Sequence, residues 1–228
     1  MNAVKQFYDQ LQFPGTYTLA GLDYHSPKIR NPYLKIIDQQ LYPGCSVLDV
    51  GCGTGLISNL FARKYPDSQF IGIDFADSVN YAVDFSHTHA INNVQFAQQD
   101  LLHYTTAEQY NVVICQGVLH HISDYHFAAA QLMQLVKPGG RLIVSVYHPW
   151  GKIAKKIFKI NYKNNILYQD QENHPYETTF TPAQIKSMFS KFKLLDVYPS
   201  NINISINLQA LINYRNGGLT TYTLENSQ

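Results

Sequence analysis

The chain has 228 residues, a formal net charge of +1 at pH 7, 45% hydrophobic residues and only 14% charged ones. Near-neutrality excludes the strong attraction to nucleic acid that a basic protein would have, no apolar run approaches the ~20 residues that span a bilayer, and the length suits one sizeable domain better than two. Cys45, Cys52 and Cys115 lie in or beside apolar runs with neither metal-ligand spacing nor the even count of a disulfide framework, so they read as reduced core thiols of a cytoplasmic protein.

In chain order, residues 4–11 carry helical spacing, Phe13-Pro14-Gly15 breaks it, and Asn31-Pro32-Tyr33 starts a second helix with Leu34, Ile37 and Leu41 on one face. These residues, 1–43, form an expected N-terminal helical cap. From it Tyr8, Phe13, Tyr17, Tyr24 and His25 could close over a ligand, Tyr17 being the first choice, because tyrosine joins an apolar face to a hydroxyl. Next comes an apolar strand over residues 45–50 that breaks into Gly51, Gly53 and Gly55 and then opens a helix over 55–65. Glycines at a strand-to-helix turn let the backbone approach a ligand, and the free N–H groups of the helix face the same point. An ordinary βα connection or a nicotinamide-binding domain would also show such a turn. The G-x-G-x-G spacing, however, lacks the third glycine of the dinucleotide fingerprint.

A second strand at 69–74 ends in Asp74, placed to grip ribose hydroxyls. A helix over 76–90 and a strand over 93–97 lead to Asp100, whose carboxylate could accept from an adenine amino group. Dinucleotide dehydrogenases have no regular need for that second acid. Strands at 111–116 and 140–147 flank a helix over 124–136, and helices between apolar strands mean parallel crossovers. The expected fold is α/β, a Rossmann-like, doubly wound, seven-stranded and mostly parallel sheet. Residues 44–228 form the domain and 149–182 a lid inserted after strand five.

After the fifth strand, residues 152–163 show lysines at spacings of three and four with isoleucines on another face. This is an amphipathic basic helix that could touch an anionic surface, or simply pack its isoleucines on the core. Within the lid, Asp170, His174 and Glu177 could bind a substrate amine or hydroxyl, or form a satisfied surface turn. Thr181 and Pro182 read as the N-cap and first residue of a helix. Residues 193–198 are the sixth strand. Both 202–206 and 219–224 alternate with period two and compete for the seventh, and Asn216-Gly217-Gly218 is a turn signal.

Together, Val47 to Gly55, Ile71 to Asp74, Gln99-Asp100-Leu101, the run from Asn111 to Ile122 and the run from Val136 to Leu142 resemble the class I S-adenosylmethionine-dependent methyltransferases across residues 44–148. By that resemblance Asp49 with Gly51, Gly53 and Gly55 would hold the methionine end, Asp74 the ribose, Asp100 and Leu101 the adenine, and Gln116 the floor beside the sulfonium. Phe75 and Tyr17 complete the candidate cofactor contacts, and the implied cofactor is S-adenosyl-L-methionine with S-adenosyl-L-homocysteine as product.

A sulfonium is already an activated methyl donor, so the protein has to position an acceptor, exclude water and, where needed, take a proton. No metal is expected. Candidate catalytic histidines are His148, where the fifth strand ends, His121, which follows the fourth strand and could equally serve packing, and His174 in the lid. The expected function is methyl transfer to an O or N atom of a small-molecule acceptor. A non-catalytic cofactor-binding subunit and an RNA or protein methyltransferase are the alternatives, nucleic acid being disfavoured by the near-neutral charge.

Overall fold

The structure is a computed structural model, and it describes residues 3–22, 32–149, 174–199 and 219–228. Seven strands form one sheet: β1 Ser46–Val50, β2 Gln69–Asp74, β3 Val94–Gln98, β4 Tyr110–Gln116, β5 Val136–Tyr147, β6 Phe192–Tyr198 and β7 Leu219–Asn226, in the order β3-β2-β1-β4-β5-β7-β6. The first five run parallel, and β7 inserts antiparallel between β5 and β6. The expected doubly wound, mostly parallel sheet is the observed one.

Strand periodicity explains the layering. In β4, Val112 and Ile114 enter one apolar layer, and Val113 and Cys115 enter the other; β5 divides Ile143 from Leu142, Val144 and Val146 in the same way. Successive side chains leave a strand on opposite faces, so a sheet covered on both sides must be apolar at every position. Helices α2 Pro32–Asp38, α3 Leu56–Lys64 and α4 Val79–Thr88 contribute to the layer holding Ile114, through Ile37, Phe61 and Phe85. On the opposite face lie α5 Tyr125–Gln134 and α6 Pro182–Met188, through Leu132 and Ile185. The N-terminal α1, Ala3–Gln10, reaches the carboxyl end of the sheet, where Lys5 Nζ pairs with Asp9 (2.7 Å) and with Asp77 (3.0 Å) just beyond β2.

The fifth strand starts earlier than the sequence reading placed it. The fifth strand was expected at 140–147, but β5 begins at Val136 and runs through Pro138-Gly139-Gly140. Tertiary contacts capture those residues: Tyr110 N–H donates to Leu135 O (2.8 Å), Asn226 Nδ2 donates to Val136 O (2.9 Å), and a bulge between Tyr110 and Val112 absorbs the irregularity. Of the two competitors for the last strand, 219–224 lies within β7, whereas 202–206 lies outside the described residues, as do Tyr24, His25, the basic segment 152–163, Asp170 and the turn at 216–218. Of the expected lid, residues 149 and 174–182 are described. Among the described residues no helix is long and apolar enough to cross a membrane.

Candidate active site

Parallel strands all deliver their carboxyl ends to one edge, so the turns after β1, β2, β3, β4 and β5 meet there. Gly51, Gly53 and Gly55 after β1 all have positive φ. At Gly53 the reason is double: φ is +54°, and a Cβ would stand 2.2 Å from the carbonyl oxygen of Phe13. That carbonyl accepts from Thr54 N–H (3.1 Å), and Thr54 Oγ1 donates to Gly15 O (3.0 Å), so the N-terminal segment lies directly on the glycine turn. At Gly51 a Cβ would run into Val118 at 2.1 Å.

Asp49 and Asp74 lie under this turn. The Asp49 carboxyl is buried in β1 and accepts from the Ser58 hydroxyl (2.7 Å); burial pushes its pKa up to about 7, against the pull of that hydrogen bond. Asp74 accepts from Gly53 N–H on one oxygen (2.7 Å) and from Ala76 N–H on the other (2.8 Å), tying the turn after β1 to the turn after β2. Burial raises its pKa too, and the backbone donors from Ala76, Gly53 and Phe75 oppose the rise. A carboxylate oxygen has two lone pairs, so each still has capacity for a hydroxyl. Asp100 accepts from Leu102 N–H (3.0 Å) and faces His103 Nδ1 at 3.3 Å, while Leu101 is buried in the core.

Gln116 ends β4, and its Oε1 is buried without a hydrogen-bond partner among the described residues. Its side chain also hydrogen-bonds the Tyr33 phenol, opposing the upward pull that burial exerts on that group. A buried acid poised near neutrality and an orphaned acceptor oxygen both call for a ligand that brings N–H groups or positive charge. The methionine end of S-adenosylmethionine, with its ammonium and sulfonium, fits that demand. Tyr17 donates to Thr54 O (2.8 Å), accepts from Asn59 Nδ2 (3.1 Å), and packs its ring on Tyr81 and Phe85. It braces the glycine turn through its carbonyl.

The second half of the site is a wall of rings. His121 belongs to a 3-10 turn, Leu119–His121, just after β4, and stacks on His174 with centroids 3.7 Å apart. Around them stand His120, Tyr147, Phe7 and Tyr8; Tyr8 lies 5.9 Å from His121, 5.5 Å from His174 and 6.3 Å from Phe75. Tyr8 therefore joins the residue beside Asp74 to the histidines. His148, one residue beyond β5, is buried, and burial pulls its pKa down. Among the described residues no group of three or more His, Cys, Asp or Glu is arranged to hold a metal ion.

The structure thus gathers Asp49, Gly51, Gly53, Asp74 and Phe75 at one pole and His121 and His174 at the other. Ser58, Tyr33, Phe7 and Tyr147 escaped the sequence reading. Their only sequence signals were Ser58 on the inward stripe of a helix that follows the glycine turn and Tyr147 one residue before His148.

Comparison with known proteins gives the site its context. A family described as a methyltransferase domain matches residues 41–195. A ubiquinone biosynthesis O-methyltransferase of Coxiella burnetii is 27% identical over 194 residues, covering 79% of this chain and 80% of that one. A malonyl-[acyl-carrier protein] O-methyltransferase of Acetivibrio thermocellus is 30% identical over 121 residues, 53% of this chain and 42% of that one. Among solved structures, the N-methyltransferase NodS of Bradyrhizobium japonicum in complex with S-adenosyl-L-homocysteine shares the fold, with a TM-score of 0.65, 14% identity and full coverage of both chains. The chain belongs to the methyltransferase-domain family, and S-adenosylmethionine is its methyl donor.

Proposed function

We propose that the protein methylates an oxygen or nitrogen atom of a small molecule, bound between the glycine turn and the ring wall. The observation that carries this reading is the wall itself. Phe7, Tyr8, His121, Tyr147 and His174, drawn from four separate segments, pack ring on ring beyond the carboxyl ends of β4 and β5. A site lined by packed rings suits a small acceptor better than a polymer. The names of the two O-methyltransferase relatives support oxygen, and that of NodS supports nitrogen.

In this reading Asp49 and the turn at Gly51, Gly53 and Gly55 take the methionine end, Gln116 Oε1 faces the positive charge, Asp74 binds the ribose and Asp100 with Leu101 the adenine, beside Phe75. Tyr17 holds the turn in shape. Bound S-adenosylmethionine supplies a methyl group already activated on sulfur. The chain's own residues orient the acceptor in line with it, keep water out and receive the acceptor's proton. His148, His121 and His174 are the candidate imidazoles at that end of the sheet, and the lowered pKa of His148 favours its uncharged form at neutral pH. Residues 1–43 act as the cap and 149–182 as the lid of one domain working in the cytoplasm.

Incubation with a methyl-labelled donor and a small-molecule cell extract tests the proposal. Label is expected in the low-mass fraction; label only in RNA or protein would overturn it. In calorimetry Asp74→Ala should weaken donor binding about 10- to 100-fold, the worth of one or two charge-assisted hydrogen bonds.

A further inference from the structure

We propose that α1 is a latched lid on the donor site, closed by Lys5 gripping Asp77 beyond β2, and that its opening sets how fast the methyl donor enters and the thioether product leaves. This rests on the donor placement proposed above, with the ribose on Asp74 and the adenine beside Phe75, and is independent of the acceptor.

The N-terminal segment reaches both cofactor turns, by two different kinds of bond. Residues 13–17 are pinned by neutral hydrogen bonds. Thr54 N–H donates to Phe13 O (3.1 Å), Thr54 Oγ1 to Gly15 O (3.0 Å) and the Tyr17 hydroxyl to Thr54 O (2.8 Å). The Tyr81 hydroxyl, on α4, donates to Tyr17 O (2.6 Å) and accepts from Tyr17 N–H (3.0 Å). This stretch is the fixed base, and residues 11–12, which join it to α1, are the hinge.

Charge fastens α1 itself. Lys5 Nζ lies 2.7 Å from Asp9 Oδ2 within the helix and 3.0 Å from Asp77 Oδ1, and Asp9 Oδ1 accepts from Asp77 N–H (3.0 Å). Asp77 is steadied by Gln98 at the end of β3, whose Nε2 donates to its Oδ1 (2.7 Å) and to Phe75 O (3.2 Å). The bonds to Asp9 and then Asp77 raise the Lys5 pKa, and Lys5 followed by Gln98 lowers that of Asp77, so the pair stays ionised at neutral pH. Burial adds little, because of the eight residues of α1 only Val4 is buried, and so short a helix has marginal stability of its own. The rings of Phe7 and Tyr8 carry the helix from Phe75 to the ring wall, so an opening of α1 uncovers both.

A latch that favours the closed state equally with and without ligand slows entry and exit by the same factor and leaves the equilibrium unchanged. The Asp77 side chain is 59% exposed, so dissolved salt reaches and screens this latch.

Stopped-flow kinetics of S-adenosyl-L-homocysteine with the full chain test the proposal. Lys5→Met, and Asp77→Asn from the other side of the latch, should raise the association and dissociation rate constants together, each about 3- to 10-fold, as the loss of one or two exposed ion pairs predicts. The dissociation constant should stay within about twofold of wild type. In about 1 M salt, where the Debye length is about 3 Å, variants and wild type should converge. Unchanged rates or lost binding in either variant, a rise in dissociation alone, or a rate ratio indifferent to salt would each overturn the latch. A wild-type chain that does not bind the thioether defeats the donor placement and this inference together, whereas wild-type binding with unaltered kinetics in the variants defeats the inference alone.

Discussion

Asp49 shows how a single buried carboxyl ties folding stability to pH. Its carboxyl is buried with the Ser58 hydroxyl as hydrogen-bond donor, and its pKa is raised to about 7. Folding therefore takes up a proton between the ordinary carboxyl range and pH 7, and the ligand-free fold loses stability as pH climbs through that window. Under the proposed assignment, the carboxylate ionised above pH 7 pairs with the donor's ammonium. Affinity for S-adenosylmethionine should therefore rise as pH increases from 6 to 8, as calorimetry would show. Asp49→Asn should abolish that rise, weaken binding at pH 8, and stabilise the ligand-free protein there by on the order of a few kcal/mol in thermal or denaturant unfolding. The acid and its glycines were legible in the sequence because strand, turn and acid follow one another without interruption. Ser58 was not, because its partnership with Asp49 depends on how α3 packs back on β1.

At the level of elements, the strongest local signals map onto the structure most closely. Thr181 caps α6 in a reciprocal box: its hydroxyl accepts from Gln184 N–H (3.3 Å), and Gln184 Oε1 accepts from Thr181 N–H (2.8 Å), with Pro182 at the first helical position. Thr181→Ala should lower the unfolding free energy by about 1 kcal/mol in a denaturant titration without changing donor affinity, since the box touches only its own helix. The start of β5 shows the opposite. Val136-Lys137-Pro138-Gly139-Gly140 has the local chemistry of a turn, yet the bonds from Tyr110 and Asn226 draw it into the sheet. Asn226 lies ninety positions away, so no window of neighbouring residues announces it.

For the whole molecule, one sheet places the two poles of the site along one edge, with α1 crossing from the cofactor turns to the ring wall. A ligand that binds only this folded arrangement stabilises it by mass action. At a donor concentration about 100 times the dissociation constant the gain is about 2.7 kcal/mol, which for a chain of this length raises the melting temperature by about 5–10 °C. Differential scanning calorimetry with and without S-adenosylhomocysteine checks this, and no shift at saturating ligand would contradict the cofactor site. By itself the sequence determined the α/β layering and the glycine turn after β1, because buried parallel strands and a glycine turn are written in residues that adjoin. Only the tertiary structure decided that Asn226 draws Val136 into the sheet, that Phe13 covers Gly53, and that Tyr176 contacts both His121 and His174. Those arrangements depend on contacts between segments far apart in the chain, which local periodicity and propensity do not encode.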